Sequence, residues 1–239
     1  MNIDGPVKPA TRRYHAPRRA AAAAQTREAI LHAAKDQFEA RGWAATTTAA
    51  VAAAAAVSPK TVQALFGTKA ALLAAAVDYA IAGDVAEVPI IARESTRSVE
   101  SAPDAAAMLD RHADHTVAIN TRSAGLAQVV ESAAGSSQLV AGLWEQMTAN
   151  RRLGARWAAT TLLTKPGTRP GLTPEQAERD FVIAIDWGTY RTLTAELGLT
   201  PRQVRDWIRN YYQRMFLTQA QATPPSGALP CDRQPPGAH

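Results

Sequence analysis

Apolar residues recur every three or four positions along most of this chain, and nowhere do they alternate with polar ones long enough to argue for a strand. Ile30, Leu31, Ala34 and Phe38 mark a first helix, starting near residue 22 or 26 and running to Arg41, with Gly42 as its stop. The stretch 46–66 reads as two short helices around a tight turn, with Val51, Val57, Val62 and Phe66 facing inward. Ser58 and Pro59 open the second of these as N-cap and first helical residue, and Thr46 is expected to cap the first. Thr68 caps a fourth helix over 69–81, with a stripe of Leu72, Leu73, Ala76, Val77, Ala80 and Ile81 that Gly83 ends. The segment 84–102 has weak periodicity and contains Pro89, so it reads as a connection with room for a helical turn. Helices are predicted over about 103–120, 122–134 and 137–164, then a loop over 165–171. Thr173-Pro174-Glu175-Gln176 and Thr200-Pro201-Arg202-Gln203 both fit a capping box with proline in first position, and they start helices over about 173–197 and 200–218. The fold class is all-α.

The exposed side of the second short helix carries Lys60, Thr61, Gln63 and Ala64. A short helix with a small, polar outer face fits the major groove of B-DNA, so 46–66 reads as a helix-turn-helix. An ordinary helical bundle has the same local pattern, and charge separates the two readings. Residues 1–83 hold ten Lys/Arg against five Asp/Glu, the whole of the +5 excess, whereas 84–239 hold sixteen of each. The positive charge therefore lies with the proposed helix-turn-helix, which favours a polyanionic partner. Residues 1–21, rich in Pro and Arg, are expected to form a flexible basic arm, and 219–239, with five prolines, a disordered tail.

At 239 residues and 46% hydrophobic the chain has enough apolar material for one large or two small domains. Cys231, the single cysteine, rules out a disulfide framework and suits a cytoplasmic protein. No apolar run reaches the roughly 18 residues of a membrane span. Arg18-Arg19 starts a segment that imitates a twin-arginine signal, but its apolar part ends at Gln25. No nucleophile elbow, phosphate loop or dinucleotide fingerprint is present, so no catalytic residue and no cofactor is expected. His112 and His115 are spaced i, i+3 without a third ligand, which favours surface or pocket-lining histidines over a metal site. His115, Trp144 and Met147 are weak candidates for lining a ligand pocket, with ordinary core as the competing reading for Trp144 and Met147. Arg151-Arg152 reads as a solvated pair.

The stretch 26–77 resembles the N-terminal DNA-binding domain of the TetR (tetracycline repressor) family. The resemblance rests on Ile30-Leu31, Ala33-Ala34, Phe38 and Gly42, on Thr46, Val51-Ala52, Ala55 and Val57-Ser58, and on Thr61, Phe66, Lys69 and Leu72. It implies a homodimer of about nine helices per subunit. A helix-turn-helix domain at 22–84 would precede a ligand-binding and dimerisation domain at 85–218, with the last two helices (173–197 and 200–218) at the dimer interface. It further implies a double-stranded operator, a small-molecule effector and repression as the outcome. Thr47 and Lys69 would touch phosphates, and Lys60, Thr61 and Gln63 would contact bases or phosphates. The chain departs from the family pattern in three ways: Ala56 stands where glycine is usual in the turn, Gln63 where tyrosine is usual, and the second helix lacks the charged residues usual around Ala49, Ala50 and Ala53. Two alternatives remain at this level: a helical homodimer whose N-terminal helices bind protein, and a small-molecule enzyme in the C-terminal helices.

Overall fold

The computed structural model describes residues 16–86 and 88–218, and these form ten α-helices with no named strand among the described residues. Most of the expected basic arm and the whole tail 219–239 lie outside the described residues. The last residues of the arm, from Ala16, are already helical: α1 runs Ala16–Ala45, with a break at Gly42, whose φ of 72° is in the left-handed region. Alanine has the highest helix propensity, which explains why the alanines at 20–24 extend the helix beyond its apolar stripe. α2 (Thr48–Ala54), α3 (Pro59–Phe66) and α4 (Lys69–Ala82) follow.

Caps define these short helices. Thr47, rather than Thr46, caps α2, its hydroxyl oxygen accepting from the Ala50 N–H at 3.1 Å. Thr46 is fully buried instead, and its hydroxyl is directed at the carbonyls of Gly42 (2.8 Å) and Gln37 (3.0 Å), fastening the exit of α1. Ser58 and Thr68 cap α3 and α4 as expected.

The connection after α4 contains a 3₁₀ turn at Ile90–Ala92 and a short helix, α5 (Glu94–Glu100), more structure than its weak periodicity predicts. The two helices expected over 103–120 and 122–134 are one, α6 (Ala105–Ala134). Thirty residues at 1.5 Å each make it about 45 Å long. No proline interrupts it, and the polar residues at the expected break have partners elsewhere. Thr121 shares a hydrogen bond with the Tyr190 hydroxyl (2.8 Å), and Arg122 reaches the end of α4. α7 (Gln138–Leu163) packs antiparallel beside α6. The helix expected over 173–197 is broken. α8 (Pro174–Ala184) ends where Asp186 caps α9 (Trp187–Arg191) by accepting from the Thr189 N–H at 3.0 Å, and α9 passes into a π-helical turn, Thr192–Glu196. α10 (Pro201–Phe216) closes the described chain, and both capping boxes form.

α6 is the central beam. α1 and α4 meet it in its C-terminal half, at Gly125 and Arg122, and α5, α7, α9 and α10 pack on it as well. One continuous apolar core runs from Ile30 and Phe38 through Leu72 and Leu126 to Phe181 and Tyr212. Gly125 lets α1 approach α6 closely, because a Cβ there would collide with the Glu39 carboxylate.

Candidate nucleic-acid interface and ligand cavity

α2 and α3 turn through 112°, within the range expected of a helix-turn-helix. Val51, Ala52, Val62 and Phe66 are buried and fix α3 against α1 and α4, with the Arg27 guanidinium 4.8 Å from the Phe66 ring centre. The opposite face of α3 is free. Lys60, Gln63 and Ala64 are exposed, and no acid among the described residues pairs with Lys60. Thr61 is half-buried and shares a hydrogen bond with the Ser58 hydroxyl at 2.8 Å. Thr47 is exposed, and after accepting from Ala50 it retains an O–H to donate outward. Lys69 is the expected phosphate contact whose placement differs most. Its ammonium donates to the carbonyls of Trp43 (2.8 Å) and Thr46 (3.1 Å) and lies 4.2 Å from the Trp43 ring centre, so two of its three donors serve the junction of α1, α2 and α4.

Ala56 has φ 53°, the only positive value at a non-glycine among the described residues. Its N–H donates to Ala53 (3.2 Å) and that of Val57 to Ala52 (2.9 Å), the paired bonds of a Schellman ending with Ala56 in the left-handed position.

A cavity of about 760 Å³ lies between α4, the connection 86–93, α6, α7 and the start of α9. His115 and Met147 line it; Trp144 does not, and packs 6.3 Å from Trp187 instead. Arg151 is no solvated residue. It lines the cavity, pairs with Asp186 and lies 5.5 Å from the Trp187 ring centre. His112 also lines it and is fully desolvated: burial pulls its pKa down to about 3, so the ring is neutral, with Nδ1 3.0 Å from the Tyr212 hydroxyl. Burial, helped by the Arg122 charge, lowers His115 too. Asp78, the only acid of α4, lines the cavity from an exposed position, and partial loss of solvation raises its carboxyl above the usual range. A second cavity of about 790 Å³ lies beside it and shares His115 and Arg93. In that shared wall Arg93 holds Asp84 through two hydrogen bonds of 2.6 and 3.0 Å. Sequence reasoning missed Asp78, Arg93 and Arg151. Only Asp78 left a trace, as a lone acid on the 74, 78, 81, 82 stripe of an otherwise apolar helix.

Residues 30–76 match the family model of bacterial regulatory proteins, tetR family. No curated protein matches the sequence significantly. Among solved structures, one described as a TetR-family transcriptional regulator from Rhodococcus sp. is 17% identical with a TM-score of 0.58, over 80% of this chain and 98% of that one. A transcriptional regulator from Saccharomonospora viridis, solved in complex with choline, is 16% identical with a TM-score of 0.60, over 82% and 99%. NalD, the secondary repressor of the MexAB-OprM multidrug efflux pump in Pseudomonas aeruginosa, is 18% identical with a TM-score of 0.59, over 83% and 98%. At such identities the likeness lies in the fold. No single helix among the described residues is long and apolar enough to cross a membrane.

An N-terminal helix-turn-helix fastened to a larger helical body is the architecture the chain shares with these structures. The family match covers the helix-turn-helix region, residues 30–76, and the chain as a whole shares the fold of TetR-family structures.

Proposed function

We propose that the protein is a ligand-responsive repressor that binds a palindromic operator as a homodimer and is released by a small apolar or amphipathic effector. The observation that carries this reading is α4. The helix-turn-helix is anchored to its first residue, Lys69, and its last two turns form a wall of the 760 Å³ cavity. That volume is ordinary for a small-molecule site. Residues 22–84 then serve DNA and 85–218 serve the effector and the second subunit. Lys60 and Gln63, free and exposed, are the principal contacts, with Thr47 and Thr61 in support and one remaining Lys69 donor for a phosphate. α8 and α10 form the dimer seam, for which exposed Ile183 and the stacked pair Trp207–Tyr211 offer apolar material. The choline complex of one structural neighbour and the repressor role of another agree with this reading. We assign no catalysis: His112 is neutral, and Arg93 and Arg151 are held by acids. The site of action is the cytoplasm, where the operator is.

An effector that binds better to a wider or narrower spacing of the two α3 helices shifts the population away from the form that fits successive grooves. By linkage, operator must weaken effector by the same factor. The test is titration of the purified protein with duplex DNA from upstream of its own gene, against a scrambled duplex, at two salt concentrations. Selective binding that weakens as salt rises is expected. Binding that ignores both sequence and salt would sink the reading.

A further inference from the structure

We propose that the 790 Å³ cavity is a site for organic anions, in which Arg111 and Arg122 receive a carboxylate head and Ile81, Ile90 and Ile119 take its apolar body. This rests on the effector reading above for its purpose, since it names the chemical class of effector, but the binding itself needs no DNA.

Four arginines and three acids line this cavity, and the acids are the more fully engaged. Asp84 gives both carboxylate oxygens to Arg93, at 2.6 and 3.0 Å. Asp114 takes Arg205 of α10, from outside the lining, through two hydrogen bonds of 2.7 and 3.3 Å. Glu94, exposed at the start of α5, is then the one acid left to face Arg97, Arg111 and Arg122. The exposed Asp78 lies on the wall of the first cavity, outside this lining. Arg111 and Arg122 are half-buried, and backbone carbonyls alone hold them. Arg111 donates to Ser98 at 2.7 Å, and Arg122 to Ala80 and Ile81 at 2.9 and 3.0 Å. A carbonyl aims a guanidinium but leaves its charge uncancelled, and among the described residues neither Nη1 of Arg122 nor Nη2 of Arg111 has an acceptor. A guanidinium offers five N–H donors in a planar fork that matches a carboxylate, and partial burial strengthens that attraction. Arg122 also holds the end of α4. An anion that drew it off those carbonyls would act on the helix that begins at Lys69.

Octanoate, octanol and octyltrimethylammonium share a tail and differ in head charge. Their affinities for the full-length protein and its variants, read by titration calorimetry without DNA, decide the matter. Octanoate is expected to bind wild type about tenfold tighter than octanol, and the ammonium no tighter than octanol. Arg111→Gln and Arg122→Gln should each remove most of that preference and leave octanol unchanged. Neither arginine lines the first cavity, so these variants also locate the site, and Arg111→Gln leaves the anchor of α4 intact should Arg122→Gln fail to fold. Glu94→Gln should tighten octanoate about twofold. Equal binding of octanoate and octanol to wild type, no binding of octanoate, or a preference that survives Arg111→Gln would each overturn the proposal. Selective octanoate binding that leaves operator affinity untouched would support the anion site and count against the effector reading. Release of operator by octanol and octanoate alike would overturn the anion site and leave the regulator reading in place.

Discussion

Replacing Ala56 by glycine should stabilise this protein, because the turn between α2 and α3 is built for a residue without a side chain. The two hydrogen bonds that close α2 require the residue between them to sit at positive φ, and Ala56 does so at 53°. A Cβ in the left-handed region costs about 1–2 kcal/mol relative to the right-handed one. Glycine removes that strain but leaves a looser unfolded chain, which takes back about 0.5–1 kcal/mol. Ala56 is exposed, so no packing is lost with its methyl group. The net gain is therefore about 0.5–1 kcal/mol, which for a protein of this size raises the melting temperature by about 1–4 °C. Urea unfolding followed by circular dichroism, with the slope compared between variants, measures it directly. Ala56→Val, in which a branched side chain meets the same backbone, should lose stability. An Ala56→Gly variant less stable than wild type at unchanged slope would refute the reasoning, since it would mean that alanine is not strained there.

Three further outcomes are expected. His112 is neutral and buried in the folded state with a pKa near 3, so the unfolded chain takes up its proton first as pH falls below the ordinary value of 6.5. Stability from this group is complete above pH 6.5 and should fall by about 2 kcal/mol at pH 5, with His112→Asn flattening that slope in denaturant titrations at several pH values. Lys60→Ala should weaken operator binding about tenfold and lower the salt slope while leaving stability within about 0.5 kcal/mol, and unchanged affinity in a gel-shift titration would remove Lys60 from the interface. Ile183→Glu places a charge on an exposed apolar position of α8 and should yield a monomer in sedimentation, whereas an intact dimer would move the seam away from α8.

What could be read from the sequence was what local chemistry decides. Ser58, Thr68, Thr173 and Thr200 cap the helices expected of them because a cap needs only its own next turn. Thr46 and Thr47 were indistinguishable in that language. The choice between them lies in the carbonyls of Gln37 and Gly42, which draw Thr46 inward and leave Thr47 to cap. Similarly, α6 reads as two helices until Thr121 and Arg122 find partners on α9 and α4. The face of α3 was legible because burial of Val62 and Phe66 forces Lys60 and Gln63 outward. The cavity was not, because its walls come from segments as far apart as Asp78 and Trp187. Arg151 looked solvated beside Arg152, and only its distant partner Asp186 makes it part of a wall.

α4 owes its importance to being fastened at both ends by side chains that are not its own caps alone. At its start Lys69 binds the carbonyls of Trp43 and Thr46, which tie it to the last turn of α1 and the entry of α2. At its end the Arg122 guanidinium of α6 takes the carbonyls of Ala80 and Ile81, at 2.9 and 3.0 Å, which a helix C-terminus would otherwise leave to water. Between these anchors Ala74, Asp78 and Ile81 face the cavity. A helix of this length does not bend easily, since each turn is cross-braced by its own hydrogen bonds. A force applied at Asp78 therefore either breaks the Arg122 contact or moves α4 as a unit, and the helix-turn-helix follows through Lys69. The same geometry works in reverse. On the function we propose, DNA that held α3 in one place would hold α4, and with it one shape of the cavity. Coupling between the two sites needs no continuous chain of moving side chains here, only one stiff element that both sites touch.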